Sequence, residues 1–186
     1  MSRKKEFYDT LVNLISEKGF KATTMRDIAF KMECDVSNLY NYITSKQSFL
    51  EELLFKMNSY FHSRMDEIIE SGLPPTKQLE EVIRLYVEVS ASQPREVGIL
   101  HNEWRHLRGD RLTDFLAEKL KFESKISSII KSGIERGAFK SMQPNILTHL
   151  VLSSLRLLFI HPEISKNTLQ SHSQITEFIL HGINKR

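Results

Sequence analysis

The chain has 186 residues, of which 40% are hydrophobic and 26% are charged, and its formal net charge is +3. This balance is typical of a globular protein and excludes a disordered chain. No segment approaches the roughly 18 consecutive apolar residues that a membrane-spanning helix needs, and no apolar stretch follows the basic N-terminus as in a signal peptide. The single cysteine, Cys34, cannot form an internal disulfide, so we expect a protein of the reducing cytoplasm without a membrane partner.

The first three predicted helices are short and closely spaced. Hydrophobic residues at helical spacing predict the first one at residues 4–18. Thr24 and Asp27 have the spacing of a capping box, so a second short helix should begin after Thr24. Asp35 is placed to cap a third helix at residues 36–43. Two short helices that are separated by about three residues and pack against another helix predict a helix-turn-helix.

A long helix is predicted next. Thr44 and Gln47 form a second capping-box pattern, which predicts a helix at residues 45–71, and the sequence GLPP ends it. Further helices are predicted at residues 76–92, 94–107, 110–136, 144–160 and 171–184. The predicted fold is therefore all-α, with about nine helices. It has a three-helix helix-turn-helix head at residues 1–46 and a larger helical body at residues 47–186, and the long helix connects them.

The third predicted helix has an outward surface that favours contact with a polyanion. Leu39 and Ile43 lie four residues apart and face the core. The residues on its remaining surface are Ser37, Asn38, Asn41 and Tyr42. No acidic residue lies within this helix, since Asp35 stands only at its cap, whereas an ordinary solvated helix usually carries charges of both signs. A slim, uncharged face of this kind fits the major groove of duplex DNA.

Four motifs occur in order within residues 7–54. They are EKGF followed by Thr23 and Thr24, RDIA at 26–29, LYNYI at 39–43 and SKQSFLEELL at 45–54. Together they resemble the N-terminal DNA-binding domain of TetR-type transcriptional regulators, which implies an all-helical fold with a dimerising, ligand-binding body. The family usually has a small Ala-Gly pair in the turn before the third helix, where this chain has Met32 and Glu33, followed by Cys34. A non-glycine residue with a positive φ in that turn costs about 1 kcal/mol.

The resemblance implies a set of contacts with DNA. The expected DNA-binding residues are Thr24, Arg26, Val36, Ser37, Asn38, Tyr40, Asn41, Tyr42 and Lys46. Thr24, Tyr40 and Lys46 should contact phosphates, and the residues of the third helix should enter the groove, where Asn pairs with adenine and Val contacts the thymine methyl group. The alternatives are that Thr24 is only a helix cap, Tyr40 only a structural aromatic and Lys46 only a solvated charge. Residues 1–46 carry eight basic and six acidic side chains, so a single head should bind weakly and a dimer should read two half-sites.

The sequence HNEWRHL at residues 101–107 contains the only tryptophan, Trp104. Together with IERGAFK at residues 134–140 it is similar to a subgroup of TetR-type regulators that respond to acyl-CoA or fatty acids. The ligand pocket that this similarity implies is lined by Tyr86, Leu100, His101, Trp104, Arg105, Phe115, Phe122 and Leu155. Arg105 or Arg108 would meet the polar end of the ligand. The alternative is that Trp104 only packs in the core.

The last two predicted helices are more apolar than a monomer needs, especially at residues 146–160 and 175–183. Such a pair can pack one side on its own body and the other on a twofold-related copy, which gives a four-helix dimer interface. The expected interface residues are Leu150, Ser153, Ser154, Leu157, Phe178 and Ile179. A strictly internal core is the alternative.

These patterns predict a homodimeric, ligand-responsive, sequence-specific DNA-binding regulator at the bacterial nucleoid. We expect a repressor that a small apolar ligand, such as a fatty acid or an acyl-CoA, releases from a palindromic operator. The sequence predicts no enzyme, no cofactor and no metal site, because its seven histidines are scattered and it has no catalytic or phosphate-loop motif. The alternative function is that of a helical module that binds a small molecule or a protein without binding DNA.

Overall fold

The computed structural model describes residues 3–184, except for the side chains of residues 162 and 165. In this range the chain forms nine α-helices: α1 (Arg3–Lys18), α2 (Met25–Lys31), α3 (Val36–Leu39), α4 (Lys46–Glu70), α5 (Pro75–Ser92), α6 (Pro94–Asn102), α7 (Gly109–Glu135), α8 (Pro144–Ile160) and α9 (Thr168–Ile183). Two 3-10 helices lie at Trp104–His106 and Pro162–Lys166, and an isolated antiparallel bridge joins Phe139 to Asn184. The predicted all-α fold is confirmed for this part of the chain.

Two of the predicted helices of the body differ from the observed ones by more than one residue at one end. The helix predicted at residues 94–107 ends at Asn102, and a 3-10 turn follows it. The last helix begins at Thr168, earlier than predicted, because Asn167 caps it: the N–H of Gln170 donates to the side-chain oxygen of Asn167 at 3.3 Å. Asn is a preferred N-cap residue, so a local contact sets this start.

The residues form two compact units. The first consists of Met1–Asn58 with Arg95–Phe115, and the second consists of Ser59–Pro94 with Leu116–Arg186. The first unit is larger than the predicted head of residues 1–46, because it also contains residues 47–58 of α4 and residues 95–115. The helices α4 and α7 contribute residues to both units.

In the first unit, amphipathic helices bury their apolar faces around α1. This helix buries Phe7, Leu11, Val12, Leu14 and Ile15, which recur at the three- and four-residue spacing of one helix face. They are joined in the core by Ile28 of α2, Leu39 of α3 and Leu50 of α4. Each fully buried side chain of this size contributes about 1.5–3 kcal/mol, so this core fixes the relative positions of the three short helices.

In the second unit, α5 packs against α8 and α9. Leu79 and Ile83 of α5 are fully buried, as is Leu155 of α8, and Ile179 of α9 is 4% exposed. None of the helices in the described range is both long and apolar enough to cross a membrane.

Candidate nucleic-acid interface and effector-facing residues

Thr24 starts α2 through a reciprocal cap with Asp27, as predicted. The Asp27 N–H donates to Oγ1 of Thr24 at 3.1 Å, and the Thr24 N–H donates to Oδ2 of Asp27 at 2.8 Å. The Thr24 hydroxyl also donates to this carboxylate, at 2.7 Å, and the Lys18 ammonium donates to Oδ1 at 3.2 Å. These contacts, led by the Thr24 hydroxyl, lower the pKa of Asp27 to about 2. Two of the expected DNA-binding residues, Thr24 at the N-cap and Arg26 in the first turn of α2, are exposed.

The turn between α2 and α3 contains the one non-glycine residue with positive φ in the described range. Glu33 has a φ of 50°, a region that L-residues adopt only at a cost. The Cys34 N–H donates to the carbonyl of Ala29 at 3.1 Å and closes the turn. The departure from the family pattern therefore lies at the strained position, and Glu33 holds there a conformation that suits glycine.

The helix predicted at residues 36–43 is shorter than expected. Regular α-helix ends at Leu39, and the chain continues in tighter turns: Tyr40 N–H donates to Ser37, Asn41 N–H to Asn38 and Tyr42 N–H to Leu39. Such 3-10 geometry is common at helix ends, and here it allows the ring of Tyr42 to reach α1. Asp35 occupies the N-cap position but makes no side-chain capping bond, so that part of the prediction was wrong.

The two tyrosines of this segment have different surroundings. The ring of Tyr42 stacks on that of Phe7, with centroids 5.3 Å apart and planes 18° from parallel. Tyr40 is 57% exposed. The other exposed polar side chains of the segment are Ser37, Asn38 and Asn41, and Val36 is half-buried. Ser37, Asn38, Tyr40 and Asn41 thus form an uncharged outer surface. Tyr42 was predicted on the same surface but is half-buried against α1, and its contact with the groove stays a prediction.

The N-terminus of α4 is capped one residue later than predicted. The Ser45 N–H donates to Oγ of Ser48 and the Ser48 N–H donates to Oγ of Ser45, both at 3.0 Å. The capping box predicted from Thr44 and Gln47 was therefore wrong. Gln47 instead donates through its side-chain amide to the carbonyl of His106 at 3.1 Å.

Lys46, the first residue of α4, is half-buried. Its ammonium donates to the carbonyls of Phe20 and Thr23 and lies over the Phe20 ring, 4.3 Å from the centroid. Burial lowers the pKa of Lys46, against the opposing charges of Asp27 and Glu103. The side chain thus ties α4 to the turn between α1 and α2, and its contact with a phosphate stays a prediction.

Sequence reasoning missed the role of Glu103 and His106 in the first unit. The Phe20 N–H donates to Oε2 of Glu103 at 3.3 Å. Nε2 of His106 lies 3.2 Å from the same oxygen, and the His106 ring stacks on that of Phe20 at 5.5 Å and 24°. The contact joins residues 83 positions apart, and no periodicity predicts it; the unusual composition of HNEWRHL was the only signal.

The same unit contains a group of aromatic rings beside arginines, which we call the aromatic–arginine group: Phe55, Trp104, Phe115, Arg105 and Arg111. Trp104 stacks on Phe115 at 6.2 Å and 16°, and Phe55 meets Phe115 edge-on at 6.0 Å. The guanidinium of Arg105 lies 5.1 Å from the Trp104 ring, and that of Arg111 lies 3.9 Å from the Phe55 ring. Apolar surface and guanidinium groups are therefore adjacent, and Arg111 also forms an ion pair with Glu51 at 3.7 Å.

The predicted pocket residues are divided between the two units. Leu100, His101, Trp104, Arg105 and Phe115 belong to the first, and Tyr86, Phe122 and Leu155 to the second. In the second unit the buried Tyr86 ring lies 5.3 Å from that of Phe61 and 5.5 Å from that of Phe159. Burial raises the pKa of the Tyr86 phenol, with a smaller effect of Glu123 in the same direction. The composition of the pocket stays a prediction.

An exposed apolar stripe runs along α8. Its members, spaced four and three residues apart, are Ile146 (49% exposed), Leu150 (55%), Leu157 (43%) and Ile160 (57%), with Ser153 between them. Ser154 bonds to its own helix, its hydroxyl donating to the Leu150 carbonyl at 2.9 Å. On α9, Phe178 is 72% exposed. Ile179, also predicted at the interface, is buried within its own unit.

In the described part of the chain, no group of three His, Cys, Asp or Glu side chains could hold a metal ion.

Two family models match the sequence. The model described as "Bacterial regulatory proteins, tetR family" matches residues 7–53, and the model described as "Tetracyclin repressor-like, C-terminal domain" matches residues 72–159. The first match covers most of α1, the helices α2 and α3, and the start of α4. The second covers the helices that carry the predicted effector-facing residues and most of α8.

Characterised relatives and solved structures agree with these matches. The transcriptional repressor KstR2 of Mycobacterium tuberculosis is 25% identical over 191 residues, covering 99% of this chain and 94% of the relative. KstR2 of Rhodococcus jostii is 29% identical over 140 residues, 75% of this chain and 69% of the relative. The structure of the ketosteroid transcriptional regulator KstR2 of M. tuberculosis has a TM-score of 0.90 at 21% identity, covering 100% of this chain and 96% of that one.

A second solved structure is that of AibR in complex with isovaleryl coenzyme A and operator DNA. Its TM-score is 0.81 at 18% identity, and the match covers 95% of this chain and 97% of AibR. At these identities, both structures show that the chain shares their fold.

Proposed function

The chain belongs to the TetR family of bacterial regulators, and we propose that it binds a palindromic operator as a homodimer and is released from it by an acyl-CoA effector. It is a ligand-responsive, DNA-binding transcriptional repressor. We propose residues 1–46 as the DNA-binding domain and residues 47–186 as the effector-binding and dimerisation domain. We propose that the protein acts at the nucleoid in the cytoplasm and that it is not an enzyme.

The exposed, uncharged surface of α3 and the turn after it carries the proposal for DNA. Ser37, Asn38 and Asn41 offer short donors and acceptors to base edges, and no carboxylate lies among them to repel phosphates. Tyr40 presents its hydroxyl at the edge of this surface, where it would donate to a phosphate. A dimer would place two such surfaces about 34 Å apart, in successive major grooves.

The aromatic–arginine group supports an acyl-CoA as the effector. An acyl-CoA combines an apolar chain with negatively charged phosphates, which match aromatic surface and guanidinium groups respectively. The guanidinium of Arg105 lies over the Trp104 ring. Arg108, two residues after the end of the Trp104–His106 turn, is exposed. The complex of AibR with isovaleryl coenzyme A gives this ligand class a precedent in the same fold. A fatty acid offers the same apolar chain and a single carboxylate for one guanidinium, but it lacks the phosphates that a second arginine would bind.

Release would follow from a shift between two arrangements of the protein. An effector weakens DNA binding only if it has a higher affinity for the arrangement that does not fit the operator. The helix α4 begins at Lys46, beside the DNA-binding residues, and ends at Glu70 in the second unit. It therefore offers a continuous connection from the body to the head.

The test begins with selection of a duplex from a random-sequence library by the protein itself. We expect a palindromic site and an affinity that falls steeply with salt. Isovaleryl-CoA and palmitoyl-CoA should then lower the affinity at least tenfold, whereas free CoA should not. An affinity independent of sequence and salt would contradict the DNA proposal. Release by a ketosteroid or by free palmitate, but not by acyl-CoA, would contradict only the effector class.

The alternative of a binding module without DNA has no support in the fold. The family model for the DNA-binding domain matches residues 7–53, and the outer surface of α3 stays free of acidic side chains.

A further inference from the structure

The short segment 103–106, which we call the coupling turn, contacts two different parts of the first unit. We propose that Glu103 and His106 are positioning residues that hold the DNA-binding head in its operator-binding arrangement, and that effector binding at Trp104 and Arg105 acts through them. The inference rests on the proposed function and adds to it the side chains that transmit the effector signal.

Glu103 holds the turn between α1 and α2 through its backbone. The helix α1 ends at Lys18 and is followed by Gly19, whose φ is 83°. The next N–H, that of Phe20, donates to Oε2 of Glu103 at 3.3 Å. Oε1 of Glu103 lies close to Gly19 as well, 3.7 Å from where a Cβ would stand. The Glu103 side chain is 15% exposed. A carboxylate largely shielded from water stabilises the donor that it faces more than an exposed one does.

His106 adds a second contact with the same turn and a first contact with α4. Its ring stacks on the Phe20 ring and its Nε2 lies 3.2 Å from Glu103. Its carbonyl accepts the side-chain amide of Gln47 at 3.1 Å. Gln47 follows Lys46, whose ammonium donates to the Phe20 carbonyl. Phe20 is thus held at its N–H, its ring and its carbonyl, and the coupling turn supplies two of these three contacts.

The other side chains of the coupling turn belong to the aromatic–arginine group. Trp104 stacks on Phe115, and Arg105 lies over Trp104. The backbone of the turn is closed by two hydrogen bonds, from His106 N–H to the Glu103 carbonyl at 2.9 Å and from Leu107 N–H to the Trp104 carbonyl at 3.0 Å. Because the turn is this short and closed, a ligand that displaces Trp104 or Arg105 also displaces Glu103 and His106 from Phe20.

Phe20 lies just before the residues that are predicted to bind DNA, so its contacts affect DNA binding. Thr24 and the N-terminus of α2 lie four residues after Phe20, and Lys46 bonds to the carbonyls of this same turn. Loss of the Glu103 and His106 contacts would loosen the predicted phosphate-binding residues of α2 and α4 together. The bound protein would contact the same number of phosphates. However, more free energy would be needed to order the residues that make these contacts.

The experiment compares three variants with the wild-type protein on the selected operator, with and without isovaleryl-CoA. Glu103→Ala removes the acceptor of the Phe20 N–H, whereas Glu103→Gln keeps an acceptor oxygen. Asp114→Asn is the control, because Asp114 is an exposed carboxylate on α7 in the same unit. Unfolding midpoints show whether each variant is folded, and the exchange rate of the Phe20 amide hydrogen reports on the contact itself.

We expect Glu103→Ala to weaken operator binding about fivefold or more without effector, with the slope of affinity against salt unchanged. Isovaleryl-CoA lowers the operator affinity by a certain factor, and this factor should be about fivefold smaller, or smaller still, in the variant than in the wild type. The reason is that the head of the variant has already partly lost its operator-binding arrangement. Glu103→Gln should restore most of the operator affinity and most of the response to isovaleryl-CoA. Asp114→Asn should resemble the wild type. In the wild-type protein, isovaleryl-CoA should accelerate amide exchange at Phe20.

The inference is overturned if folded Glu103→Ala binds the operator as the wild type does and responds equally to isovaleryl-CoA. Should Glu103→Ala fail to fold, unchanged Phe20 exchange in wild-type protein released by isovaleryl-CoA would overturn it as well. If the wild type does not respond to acyl-CoA, the effector class has failed instead. Operator affinity of the variants without effector then still decides whether Glu103 positions the head.

Discussion

The ring of Tyr42 lies parallel to the ring of Phe7, 5.3 Å away, and fixes the turn after α3 to α1. Phe7 is 2% exposed and also meets Phe49 edge-on at 6.3 Å, so Tyr42 covers the edge of the core. We expect Tyr42→Ala to destabilise the protein by about 2 kcal/mol, since a half-buried ring and its stack are lost. Tyr42→Phe should keep the stability within about 0.5 kcal/mol. Urea unfolding measures both.

Tyr40, two residues earlier, should give the opposite result. Its side chain is 57% exposed, so Tyr40→Ala should change the free energy of unfolding by no more than about 0.5 kcal/mol. Operator affinity should fall about tenfold, the equivalent of one good hydrogen bond to a charged phosphate. Tyr40→Phe should lose nearly as much affinity, because the hydroxyl is the group proposed to bind. Full affinity in both variants would show that Tyr40 does not contact DNA.

The strained turn between α2 and α3 predicts a stabilising substitution. Glu33 has a φ of 50°, and glycine adopts this region without the steric cost of a Cβ. Glu33→Gly should therefore stabilise the protein by roughly 0.5–1 kcal/mol. Glu33→Ala serves as the control, because it removes the charge but keeps the strain. Thermal or urea unfolding in which Ala stabilises as much as Gly would assign the effect to the charge.

The helices around this turn illustrate what the sequence could predict. The reciprocal cap of Thr24 and Asp27 was evident, because its residue types and spacing are local. The cap of α4 was not, because TSKQ offered Thr44 with Gln47, while Ser45 with Ser48 was also present. The choice depends on the register in which Lys46 reaches the carbonyls of Phe20 and Thr23. That contact is tertiary, and no local pattern encodes it.

The candidate site divides in the same way. The exposed polar surface of α3 followed from a short local sequence and helical spacing. The contact of Glu103 with Phe20 did not, because it depends on where α6 ends and on a 3-10 turn that replaces the predicted helix. Side chains that bind directly are therefore easier to predict than those that position them.

The cap of α2 also predicts a pH dependence. The pKa of Asp27 is lowered from 3.8 to about 2, chiefly by the Thr24 hydroxyl. Because the folded pKa lies below the unfolded one, the carboxylate stabilises the protein above pH 4, and this contribution is lost as the pH falls from about 4 to about 2. Asp27→Asn should be less stable than the wild type at pH 6, and the difference should vanish near pH 2. A difference independent of pH in urea titrations would contradict this origin.

Phe139 of the motif IERGAFK packs against Gly133, the residue just before the motif. A Cβ built on Gly133 in α7 would overlap the ring of Phe139, which is 1% exposed. Gly133→Ala should therefore destabilise the protein by about 1–3 kcal/mol, as overpacking does, despite the better helix propensity of alanine. Gly98→Ala is the matched control, because no atom lies within 4 Å of its Cβ position in α6. It should stabilise the protein by up to about 1 kcal/mol, and equal effects at both sites in thermal unfolding would exclude the clash.

The apolar stripe of α8 should hold the dimer together. Leu150 and Leu157 are 55% and 43% exposed, and two turns of helix separate them on one face. Leu150→Glu combined with Leu157→Glu would bury two carboxylates in each half of a twofold contact, so we expect monomers in analytical ultracentrifugation at micromolar concentration. Thr113→Glu is the control, because it adds a charge at an exposed position of α7 in the first unit and should leave the dimer intact. The monomeric variant should also lose operator affinity at least 100-fold, because each head then binds one half-site alone. A dimer that persists in the double variant would show that the copies associate through another surface.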